Sequence, residues 1–71
     1  MPTAKLLVRG LDSPTREREL ERVLNGLSGV YGAVASCRDA CVEVDFEDDE
    51  VTIDEIVAAA STAGFQATLA G

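Results

Sequence analysis

VYGAVASCRDACVEVDF, residues 30–46, holds two extended runs separated by a short polar break, and its reading organises the rest of the 71-residue chain. Cys41 to Phe46 alternates cleanly, with Val42, Val44 and Phe46 on one face and Cys41, Glu43 and Asp45 on the other, the pattern of a half-buried strand. Val30 to Cys37 is less regular. Val30, Ala33, Ala35 and Cys37 form an inward set only if strict alternation slips near Gly32, as a β-bulge allows. The two runs therefore predict an antiparallel pair whose turn, Arg38-Asp39-Ala40, is bracketed by the chain's two cysteines.

Working outward, Lys5 to Arg9 is a short apolar run closed by Gly10, which suits a buried strand better than a helix. Ser13-Pro14 then reads as a helix start: the hydroxyl caps a free backbone N–H, and proline at the first helical position forfeits no hydrogen bond. This helix is predicted to reach about Leu27, with Leu20, Val23, Leu24 and Leu27 as one apolar stripe and Arg16, Glu17, Arg18, Glu19, Glu21 and Arg22 covering the remainder. On the other side of the hairpin, Asp54 is the predicted cap of a helix carrying Ile56, Val57, Ala60 and Ala63. Gly64 ends that helix where a left-handed residue is needed, and Gln66 to Leu69 is a last strand.

The order βαββαβ predicts an α+β fold of the ferredoxin-like type: a four-stranded antiparallel sheet with two helices on one face, in a single domain spanning residues 1–71. A chain this small buries only about 60% of the surface its unfolded form exposes, so the core is small. Hydrophobic residues make up 46% and charged residues 27%, the balance of a globular domain. Thirteen acids against six bases leave a net charge of −7, which argues against nucleic acid or an anionic membrane as partner. No run approaches the ~20 apolar residues of a membrane span, and with no leader-like start the expected location is cytoplasmic. The acidic run from Asp45 to Glu50 reads as a solvated loop, lacking the spacing and glycine of a calcium loop.

Four pieces carry a likeness that covers nearly the whole chain: Val8-Arg9-Gly10-Leu11, Leu27-Ser28-Gly29-Val30, the Val44-x-Phe46 strand, and Ala63-Gly64-Phe65-Gln66-Ala67. In their order and spacing they resemble the heavy-metal-associated domain of copper chaperones and metal-transporting P-type ATPases. The resemblance implies soft-metal binding or trafficking, Cu(I) or another soft ion as cargo, and a metal transporter or chaperone domain as partner. In that family the loop after the first strand carries two cysteines whose thiolates hold the ion. Here the equivalent positions are Ser13 and Arg16, and neither a neutral hydroxyl nor a permanent guanidinium cation replaces a thiolate. Phe65 stands where the family often has an aromatic residue near the metal; its plain structural role is a core aromatic at the end of the second helix.

Cys37 and Cys41 are the remaining candidate metal ligands. In a ferredoxin-like sheet their turn lies at the same pole as the loop after strand one, but strand three intervenes between strands one and two. At ~4.8 Å per strand spacing, the thiols are expected roughly 10 Å from that loop, too far to share one ion with it. A local two-thiolate site would suit Cu(I), although alternation places Cys37 inward and Cys41 outside the inward set. Three further readings stand beside it. Cys37 is a small buried hydrophobe and Cys41 a turn residue; the thiols form a redox disulfide, against which the short hairpin and the spacing both argue; or Ser13, Thr15 and Arg16 at the helix N-terminus bind an anion.

The expected functions are thus a metal-handling module with a non-standard site, or a degenerate, metal-free docking or regulatory domain that keeps the fold. For the second, Leu7 and Val34 on the uncovered sheet face are the candidate partner contacts. The expected state is a monomer or weak dimer. With no histidine, no nucleophile–base pairing and no glycine-rich phosphate loop, an enzyme is not expected.

Overall fold

A computed structural model describes residues 2–70. The chain runs β1 (Thr3–Arg9), α1 (Pro14–Asn25), β2 (Val30–Ser36), β3 (Cys41–Phe46), α2 (Ile53–Thr62) and β4 (Gln66–Leu69). The strands form one antiparallel sheet in the order β2-β3-β1-β4, the ferredoxin-like arrangement expected from the element order. Alternation decides which face the helices cover. Ala4, Leu6 and Val8 of β1, Ala33 and Ala35 of β2, Val42, Val44 and Phe46 of β3 and Ala67 of β4 are buried with Leu20 and Leu24 of α1 and Ile56 and Ala60 of α2. The opposite face has no helix on it, and Leu7 and Val34 lie there, both exposed as expected.

Several boundaries differ from the sequence reading for local reasons. β1 begins at Thr3 rather than Lys5, because β3 is long enough to pair with it and the Thr3 hydroxyl donates to Asp45 at 2.6 Å. α1 stops at Asn25 rather than Leu27: the Gly26 N–H closes onto Arg22, and Leu27 sits in the following turn, still partly buried against the core. β2 ends at Ser36, one residue short of Cys37. The cap of α2 is Thr52, not Asp54. The Thr52 hydroxyl accepts from the Glu55 N–H at 3.1 Å while the Glu55 carboxylate accepts from the Thr52 N–H at 3.1 Å, a reciprocal capping box. Asp54 lies inside the first turn, where its charge suits the helix dipole.

The slip expected in β2 is present. Val30 pairs with Phe46 and Gly32 with Asp45, so Tyr31 is the extra residue of a bulge and points out to solvent. At this end of the sheet the Phe46 N–H donates to the Pro2 carbonyl and the Ala70 N–H to the Lys5 carbonyl, so both described ends of the chain lie there. The acidic loop after β3 is at the same end. The other pole gathers the β1–α1 loop, the β2–β3 turn and the α2–β4 loop.

Candidate metal centre and the pole that carries it

Contacts between distant segments assemble this pole. The Val8 N–H donates to the Ala40 carbonyl at 2.8 Å, extending the β1–β3 ladder past its Leu7–Cys41 pair and tying the hairpin turn to the end of β1. Ala40 holds a left-handed φ of 53° to present that carbonyl. Gly10 and Gly64 meet across the pole: both have positive φ, 94° and 93°, and a Cβ on Gly10 would lie 3.4 Å from the Gly64 carbonyl oxygen. Phe65, fully buried, follows Gly64 directly and lies beneath the junction.

Arg16 occupies this junction. Its guanidinium carbon sits 4.3 Å above the centre of the Phe65 ring. Its Nε donates to the Gly10 carbonyl at 3.4 Å and its Nη1 to the Glu19 carboxylate at 3.2 Å, with the side chain 32% exposed. A cation over an aromatic face is worth ~0.5–1 kcal/mol at a partly exposed site, and the i,i+3 ion pair a few tenths more. Ser13 is equally committed, its hydroxyl accepting from the Arg16 N–H at 3.3 Å as the cap of α1. Ser13 and Arg16 are therefore committed to a helix cap and a built-in cation.

The cysteines are both free and stand at this pole, but they do not converge. Register pairs Ser36 with Cys41, which puts Cys41 on the open face of the sheet, while Cys37, one residue on, packs partly buried against the helix-covered core. Cys41 is not a turn residue: it opens β3 opposite Leu7 and is itself buried. The distance of roughly two strand spacings therefore applies to Cys37 alone, since β3 is the immediate neighbour of β1.

Cys37 has a partner that sequence reasoning missed. The Glu17 carboxylate of α1 accepts from the Cys37 N–H at 2.6 Å. A further hydrogen bond between the same carboxylate and the thiol, with partial burial and the charges of Glu17 and Asp12, raises the thiol pKa. In turn the Cys37 N–H and thiol lower the pKa of Glu17, with Arg18 adding to the effect. Soft metals bind thiolates, so a carboxylate that favours the protonated thiol works against Cys37 as a ligand.

A second group of candidate ligands lies at the far end of the molecule, where carboxylate oxygens of Glu47, Asp48 and Asp49 fall within 4.8 Å of one another. Hydrogen bonding to Asp49 and the charges of Asp49 and Asp48 raise the Glu47 pKa, although the Tyr31 hydroxyl, donating to Glu47 at 3.3 Å, pulls the other way. The group belongs to the acidic loop and has no connection with the pole.

No model of a protein family matches the sequence, and no curated protein sequence matches it either. Solved structures do. A copper-binding domain from HMA7, a P-type ATPase, superposes with a TM-score of 0.96 at 22% identity, covering 100% of this chain and 96% of that one. Oxidised MerP from Ralstonia metallidurans CH34 gives 0.94 at 17% identity over 99% of this chain and 97% of its own. The CopZ metallochaperone gives 0.90 at 22% identity over 94% and 100%. At these TM-scores over nearly its whole length, the chain has the fold of the heavy-metal-associated domains of copper chaperones and metal-transporting P-type ATPases.

Proposed function

We propose that residues 1–71 are a single module serving the handling of soft metal ions, and that it acts as a docking or regulatory domain for a metal-carrying partner rather than holding the ion in its own β1–α1 loop. One observation carries this reading: the Arg16 guanidinium stands over Phe65 at the junction of the pole loops. Two unit charges 4 Å apart repel by ~4 kcal/mol at an effective dielectric of 20. With no thiolate in the loop to offset that term, a metal cation has no favourable seat beside Arg16. Fold likeness to copper-binding and metallochaperone structures supports the metal context. The partner class is a domain of a metal transporter or chaperone, and the open sheet face with Leu7 and Val34 is the contact surface in this reading.

The second reading is a Cu(I) site made by Cys37 and Cys41, favoured by two free thiols at the same pole. Against it stand their opposite faces and the Glu17 carboxylate on Cys37. Titrating anaerobically reduced protein with Cu(I) against a calibrated chelator separates the two. The docking reading expects equal binding by wild type and the Cys37→Ser/Cys41→Ser double variant. Stoichiometric Cu(I) binding that is lost in either single variant would overturn it in favour of the thiol site. Leu7→Glu/Val34→Glu is expected to weaken capture by a metal-transporter domain at least about tenfold, as burying unpaired charge in an interface does; unchanged capture removes the docking face.

A further inference from the structure

The sheet order leaves β2 as an edge strand, with backbone donors facing away from β3. Bare edges of this kind pair readily with other chains. Here three of those donors are taken by side chains of α1. The Ala33 N–H donates to Asn25 Oδ1 at 3.1 Å, the Ala35 N–H to Glu21 Oε2 at 2.9 Å, and the Cys37 N–H to Glu17 Oε2 at 2.6 Å. The spacing is a match of two periodicities. Four residues of helix advance ~6.0 Å and two residues of strand ~6.7 Å, so three rungs drift by only about 1.4 Å, well within the reach of Glu and Asn side chains. The helix runs against the strand, which is why the acceptors ascend as the donors descend. Alternation along β2 supplies the remaining condition, because the same residues whose side chains face the core, Ala33 and Ala35, turn their N–H groups outward.

We propose that α1 gates the β2 edge: the Glu17–Glu21–Asn25 ladder keeps this strand from pairing with β2 of a second copy of the chain, and its removal opens that edge. A second copy is the occupant because two-fold antiparallel pairing of one strand with itself is self-complementary, each copy offering the other the same donors and acceptors. With the ladder in place, such an approach brings the carboxylates of Glu17 and Glu21 from both copies together while their N–H partners are already engaged. Without it, three unpaired donors meet three carbonyls, and the exposed side chain of Val34 gains an apolar neighbour on the open face.

The test is the oligomeric state of full-length Glu17→Ala/Glu21→Ala/Asn25→Ala by sedimentation over a concentration series, beside wild type. A monomeric wild type and a concentration-dependent dimer of the variant are expected. Adding Ala35→Pro, which removes the middle edge donor without touching the β2–β3 ladder, is expected to restore the monomer. A folded triple variant that stays monomeric, a dimer indifferent to Ala35→Pro, or a wild type that already associates through β2 would each overturn the proposal. Should the triple variant fail to fold, Glu21→Ala alone decides through amide exchange: the Ala35 amide is expected to exchange about tenfold faster with Val34 and Ser36 unchanged, the size of one lost charge-assisted hydrogen bond. An unchanged Ala35 rate counts against the gate.

Discussion

Ser13 and Arg16 show how a helix cap and the first turn it starts can both be spent on structure. The cap is local. A hydroxyl followed by proline at the first helical position marks a helix start in any sequence, and the structure has it. Ser13→Ala should cost about 1 kcal/mol in urea unfolding, the ordinary worth of an N-cap, with the fold retained; a loss under about 0.3 kcal/mol in the same measurement would show that water replaces the cap. The place of Arg16 was not legible in the same way. Its place just after the helix cap can be read from the sequence, but its seat over Phe65 depends on Gly10 and Gly64 meeting across the pole, a contact between segments far apart in sequence. The same holds for the cysteines. Alternation correctly separated their faces, whereas the Glu17 contact that holds the proton on Cys37 needed the helix to be laid beside the strand.

Among the elements, α1 was the most readable on one side and the least on the other. Its apolar stripe follows from periodicity, and Leu20 and Leu24 are fully buried. Its charged side reads as solvent-facing because helix periodicity alone does not say what lies alongside. The acceptors at i, i+4 and i+8 gain meaning only once an edge strand is known to lie there. Thr52 is hidden for a related reason: two acids follow it closely, and Asp54 competes for the cap in a sequence that does not show Glu55 reaching back to Thr52. The α1–β2 contact also sets a pH dependence. The Glu17 pKa is held below its ordinary value of 4.5, so its contribution to stability is fully present above that value and is lost as pH falls through the folded-state pKa. Glu17→Gln keeps an acceptor but no charge. Wild type should therefore exceed the variant in denaturant midpoint at neutral pH, and the difference should shrink below about pH 4.5 as the wild-type carboxyl is protonated.

At the scale of the molecule, charge is distributed unevenly along the sheet axis. Asp45, Glu47, Asp48, Asp49 and Glu50 crowd the end where β3 stops, while Arg9, Arg16 and Arg38 stand at the end that carries the pole loops. Self-repulsion in the acidic end, added to a net charge of −7, opposes compaction. Raising salt from about 20 mM to about 0.5 M shortens the screening length several-fold and should raise Tm, by a few degrees at most because these groups are already exposed; a Tm that falls or stays level in a calorimetric salt series would mean that attractive pairs such as Arg16–Glu19 outweigh the repulsion. The overall architecture was the most legible level, since the βαββαβ order points to one sheet topology and strand alternation to the face the helices cover. The ends of the chain add a consequence for assembly. Pro2, bonded to Phe46, and Ala70, bonded to Lys5, both lie toward the acidic end of the sheet, at the opposite end from Arg16 and Phe65. A surface anchor attached at those two residues would therefore hold the domain by its acidic foot and leave the loops of the opposite pole uncovered, like a bell whose mouth stays clear of the rope.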